Sequence, residues 1–80
     1  HENLARCYTG LGKYVNAIAE YCEAIRLNPD SHSAYYNLGY CYYKLGEYRK
    51  AIRLYRKAIR MNPETIQYHH SLGQCYFVLG

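Results

Sequence analysis

The stretch YYNLGYCYYKLGEYRKAIRLYRKAIRMNP, residues 35–63, decides the fold. Between Ser33 and Leu45, apolar side chains recur at helical spacing: Tyr35, Leu38, Cys41, Tyr42 and Leu45. Steps of three and four place them on one helix face. Gly46 then ends the segment, since glycine readily takes the left-handed conformation that closes a helix. A second stripe runs through Tyr48, Ala51, Ile52, Tyr55, Ala58 and Ile59, up to Met61. Asn62-Pro63 stops it, because proline cannot continue a helix and restricts the residue before it. The reading is two helices joined by a tight turn.

Working outward, the rest of the chain repeats this unit. At an offset of 34 residues, Asn3-Leu4 falls on Asn37-Leu38, and Cys7-Tyr8 on Cys41-Tyr42 and again on Cys75-Tyr76. Leu11-Gly12 falls on Leu45-Gly46 and Leu79-Gly80, Tyr21 on Tyr55, Ala24-Ile25-Arg26 on Ala58-Ile59-Arg60, and Asn28-Pro29 on Asn62-Pro63. So many coincidences at one offset mark an internal repeat. Small residues at Gly39 and Gly73 in the first helices, and at Ala51 and Ala58 in the second, are expected to let helix axes approach closely.

These residues resemble the tetratricopeptide repeat, whose 34-residue signature runs aromatic, Leu-Gly, Tyr, Ala-x-x-x-aromatic, Ala, Pro. The middle unit supplies Tyr35, Leu38-Gly39, Tyr42, Gly46, Tyr48, Ala51, Tyr55, Ala58 and Pro63, with Tyr35 where the family usually has Trp. The first unit departs further, with His1 at the aromatic position and Ala5 at the glycine. The third has His69, then Leu72-Gly73 and Tyr76. The resemblance implies an all-α fold of antiparallel helix-turn-helix repeats, stacked as a right-handed solenoid. Its register divides the chain into a truncated repeat (1–31), a complete repeat (32–65) and the first helix of a further repeat (66–80). No polar capping element is visible at either end. The chain is therefore expected to be a piece of a longer array, whose uncapped ends could self-associate end to end.

Composition bounds the function. Half the residues are hydrophobic, but 12 of them are Tyr and only one is Phe. Tyr buries a ring and keeps a hydroxyl that needs a partner. Shallow, half-buried contacts are expected rather than one deep core. Four cysteines form no Cys-x-x-Cys pair, and no signal peptide or long apolar run is present. An intracellular setting, cytoplasmic by preference, fits that usage. No membrane association is expected. No phosphate loop, Ser/His/Asp set or paired carboxylates are present, so catalysis is not expected, and neither is a cofactor or a small-molecule substrate.

The resemblance implies that first helices line a concave groove for an extended peptide or a partner helix. By position, the candidate contacts are Asn3 and Arg6 in the first unit, Tyr36, Asn37, Tyr40, Tyr43 and Lys44 in the second, and His70, Gln74 and Phe77 in the third. The residues themselves support this. Tyr36, Tyr40 and Tyr43 form a second stripe beside the inward one, and a monomer helix needs only one. Tyr offers contact area at low entropy cost; the competing use of these rings is packing against adjacent first helices. Asn3 and Asn37 recur at one position, and a carboxamide can donate to and accept from a peptide backbone. The family's carboxylate clamp is not reproduced: its positions carry Glu2 and Arg6, then Gln67 and Ser71, and only Asn37 fits.

Three other features invite readings. Cys7, Cys41 and Cys75 hold one repeat position, where the resemblance implies a small side chain packed between helices; all three are expected in the core, and Cys22 as a free thiol. His69-His70 lie about 100° apart on a helix, so they make a poor metal pair, and no metal site is expected. The helix 48–61 carries Arg49, Lys50, Arg53, Arg56, Lys57 and Arg60, six of the ten cations in a chain of net charge +4. A solvated outer face is the first expectation, and an acidic protein or a nucleic acid the alternative. The function expected overall is a protein-interaction scaffold, or the targeting arm of a larger multidomain enzyme.

Overall fold

The computed structural model describes residues 1–80. Five helices follow in order: α1 Glu2–Gly10, α2 Tyr14–Leu27, α3 His32–Lys44, α4 Tyr48–Met61 and α5 Ile66–Leu79. There are no strands. Connections of three or four residues return the chain directly, so each helix packs on its neighbours in sequence, and α1 also reaches α3. No helix is long and apolar enough to cross a membrane.

Local chemistry sets the helix ends. The middle unit's first helix begins one residue before the Ser33 expected from periodicity, because Ser31 caps it: its Oγ accepts from the Ala34 amide at 3.3 Å. At the other end, Gly46 has φ +82°. Its amide donates to the Tyr43 carbonyl at 3.0 Å, and the next amide, of Glu47, donates to Tyr42 at 2.9 Å. This paired closure is a Schellman turn, and it needs the left-handed residue that glycine supplies. Gly12 repeats it with φ +76°, its amide on Thr9 and the Lys13 amide on Tyr8.

The core is thin. Ala5, Ala17, Tyr21, Ala34, Leu38 and Cys41 form one cluster, and Ala51, Tyr55 and Cys75 a second. Only 14 of 80 residues are buried, as the tyrosine-rich composition implied. Tyr21 and Tyr55, one repeat apart, are the largest fully buried side chains, and burial pushes both phenols above the ordinary tyrosine range. Gly39 is the counterpart of Tyr55. A methyl group there would meet the Tyr55 ring at 2.9 Å and Leu54 Cβ at 3.2 Å.

Two expectations need correction. Cys41 and Cys75 are buried, each against the helix pair that precedes it, but Cys7 is exposed. Its register faces a preceding pair, and none precedes α1 among these residues. Gly73 likewise has open space where Gly39 has Tyr55, because no helix packs on that side of α5.

Candidate functional site

The odd-numbered helices lie side by side, held by side chains. Glu2 on α1 accepts from Ser31 at 3.1 Å and from Ser33 at 2.8 Å, tying α1 to the start of α3. Thr9 Oγ1 donates to the Ala5 carbonyl at 3.0 Å and lies 3.6 Å from Cys41 Sγ. Between α3 and α5, the Tyr36 hydroxyl meets Ser71 Oγ at 2.8 Å, and the Tyr36 and Tyr68 rings stack with centroids 4.5 Å apart.

The repeat offset arranges the candidate residues in rows across these helices. Asn3, Asn37 and Ser71 make one row; Arg6, Tyr40 and Gln74 the next; Thr9, Tyr43 and Phe77 a third. Asn3, Arg6, His70, Gln74 and Phe77 are exposed, Phe77 to 87%. Asn37, Tyr40 and Tyr43 are half-buried, with Lys44 exposed beside them. The Tyr40 and Tyr43 rings lie 6.5 Å apart, inclined by 30°, and Lys44 Nζ sits 5.6 Å from the Tyr40 centroid. Tyr43 also meets Tyr48 edge-on at 5.6 Å. Asn3, Asn37 and Gln74 take part in none of the side-chain hydrogen bonds that join the odd helices.

Tyr36 stands apart from the other nine. Its hydroxyl is engaged by Ser71, and its ring lies between Tyr68 and Tyr55, 5.3 Å from the latter. It takes the packing use of the second tyrosine stripe. Beyond Tyr68 the junction continues through His32 and Asn62, which helical periodicity does not mark as partners. Asn62 Nδ2 donates to His32 Nε2 at 3.3 Å, so the imidazole proton sits on Nδ1, which meets the Tyr68 hydroxyl at 2.8 Å. A signal was available: Tyr68 occupies the register of the fully buried Ala34. A ring at a position built for a methyl group has to be sent into the space between repeats.

His69 Nε2 donates to the Pro63 carbonyl at 2.9 Å. No three His, Cys, Asp or Glu side chains gather as metal ligands. On α4, Arg49, Lys50, Arg53, Arg56 and Arg60 are exposed and Lys57 half-buried. Lys50 and Lys57 lie over the rings of Tyr42 and Tyr35, at 5.3 and 5.8 Å.

A fold of helix pairs in 34-residue register, with aligned rows across its first helices, defines a helical-repeat module. The tetratricopeptide repeat family profile matches residues 32–65, and a second profile of the same kind, described as TPR repeat, matches residues 5–46. The chain belongs to the tetratricopeptide repeat family. A search of curated proteins finds no match. Among solved structures, "First TPR of Spaghetti (RPAP3) bound to HSP90 peptide SRMEEVD" superposes with a TM-score of 0.94 at 23% identity, over 98% of this chain and 62% of that one. MamA superposes at 0.95 with 34% identity, over 99% and 46%. YrrB, described as a TPR protein with an unusual peptide-binding site, gives 0.91 at 27% identity, over 98% and 40%. The chain thus spans between 40% and 62% of the length of these three structures.

Proposed function

We propose that the chain is a protein-interaction module that takes an extended segment of a partner protein across α1, α3 and α5. One observation carries this reading most directly. The carboxamides of Asn3, Asn37 and Gln74, which make no hydrogen bond between the helices, lie across α1, α3 and α5 beside the half-buried Tyr40 and Tyr43 and a Phe77 ring left 87% exposed. Asn3 and Asn37 offer carboxamides to a peptide backbone. Tyr40, Tyr43 and Phe77 offer rings to its apolar side chains, and Arg6 and Lys44 would meet its acidic groups. Tyr36 supports the surface from beneath. Two of the similar structures are described with a bound peptide or a peptide-binding site, which agrees with this reading. The register does not carry the basic clamp for a terminal carboxylate, so an internal segment suits it better than a chain end.

Peptides selected by display against the chain provide the probe. The double variant Asn37→Ala, Tyr40→Ala is expected to weaken them by about 2 kcal/mol or more, as loss of a central aromatic anchor does. Unchanged affinity, measured by calorimetry, would remove the groove assignment.

A further inference from the structure

Of the six cations of α4, Arg60 alone recurs at the repeat offset, as Arg26; the other five are not demanded by the repeat. Where α4 has Arg49, Lys50 and Arg53, the same register of α2 has Val15, Asn16 and Ala19; where it has Arg56 and Lys57, α2 has Cys22 and Glu23. The fold accepts apolar, neutral and acidic residues at these places, so the basic face belongs to this one helix. It is also concentrated: the residues outside α4 carry four cations and six anions. Like charges recur at i,i+4 along it, as in Arg49–Arg53, Arg53–Lys57 and Arg56–Arg60, an arrangement that disfavours the isolated helix. Only Lys50 has an acidic partner, Glu47 at 3.4 Å.

The recesses of the molecule lie along this helix. One of ≈ 390 Å³ is lined by Tyr35 and Leu54 with Arg53, Arg56, Lys57 and Arg60. A neighbour of ≈ 280 Å³, lined by Leu38, Tyr42, Lys50, Arg53 and Leu54, shares Arg53 and Leu54 with it, so the two join into a trough. Its floor is apolar and its rim cationic. Leu54 stands where α2 has Glu20 in the same register. The exchange both removes a charge that would repel an anion and makes the floor apolar.

We propose that this trough is a second docking surface, for an acidic peptide segment that carries apolar side chains between its carboxylates. Guanidinium groups bind carboxylates with planar, paired hydrogen bonds. The apolar floor takes the intervening side chain. A single-stranded nucleic acid fits less well, since it asks for free aromatic faces to stack on. The tyrosines of this trough, Tyr35 and Tyr42, already have Lys57 and Lys50 over their rings.

A fluorescent peptide of alternating Glu and Leu, titrated by anisotropy, tests the proposal. The expected result is saturable binding that weakens as salt rises from about 0.05 to about 0.5 M. The variant Arg53→Ala, Lys57→Glu installs the residues α2 already carries, so the fold is kept, and circular dichroism checks it. It is expected to bind about tenfold more weakly, having lost one charge pair and reversed another. The groove variant Asn37→Ala, Tyr40→Ala is expected to keep the salt-sensitive binding that the Arg53/Lys57 variant loses, which separates the two surfaces. Equal affinity of the Arg53/Lys57 variant would overturn the proposal. So would an all-Glu peptide binding as well as the alternating one, or an oligouridylate binding more tightly than either.

Discussion

Gly39 and Gly73 hold the same register one repeat apart and live in different surroundings. At Gly39 an added methyl group would press on the Tyr55 ring; at Gly73 it would enter open space. Both sit inside helices, where alanine is intrinsically better by about 0.5–1 kcal/mol. The same substitution should therefore change sign between them. In this chain Gly73→Ala is expected to raise stability by about that amount. Gly39→Ala is expected to lower it by about 1 kcal/mol, because overpacking costs more than the propensity returns. Ala5, fully buried at the equivalent place in the first unit, limits the loss by showing that a methyl group can be accommodated there. Urea denaturation of the two variants decides the matter, and a common sign would show that packing at Gly39 is looser than described. The sequence marked both glycines as close-approach sites. Only the position of the neighbouring helix told them apart.

At the scale of the element, α3 carries most of the organisation. Ser31 does two jobs at its start, accepting from the Ala34 amide and donating to Glu2. The jobs can be separated. Ser31→Ala loses both and is expected to cost about 1–2 kcal/mol. Ser31→Asn caps as well and keeps an amide for Glu2, so its denaturation midpoint should stay near the parent's. Ser31→Asp caps too but sets a second carboxylate against Glu2, and should fall between them at neutral pH. If Asp and Asn behave alike, the tie to α1 contributes nothing. The faces of α3 were legible from period alone. The division of labour within its second tyrosine stripe was not, since Tyr36, Tyr40 and Tyr43 look equivalent in a helical projection. Tyr36 is claimed by Ser71 and Tyr68, residues of α5 more than 30 positions away.

At the scale of the whole molecule, stability rests on tyrosines that fold in their neutral form. Burial raises Tyr21, Tyr55 and Tyr68 above the ordinary value of 10.0. In the unfolded chain these phenols ionise near that value, whereas in the folded chain they stay protonated. The unfolded state therefore binds fewer protons at high pH, and stability falls as pH rises past about 10. Below that pH the three groups contribute no pH dependence. Tyrosinate absorbance and far-ultraviolet circular dichroism, followed together, are expected to change in one cooperative step for these three residues. A wholly gradual titration with the helices intact would show that the three phenols reach solvent.

The sequence by itself determined the helix pairs, their ends, the 34-residue register and the rows that cross the first helices. Those features follow from local periodicity and from the conformational limits of Gly and Pro, which act over a few residues. The tertiary structure decided which members of each row are free. Cys41 is covered and Cys7 is not, Tyr36 is engaged and Asn37 is not, and His32 joins Tyr68 and Asn62 in a junction that no local pattern announces. Periodicity assigns a side chain to a face. What covers that face depends on residues brought there by the stacking of whole helix pairs, and half-buried tyrosines of one stripe find different partners at successive turns.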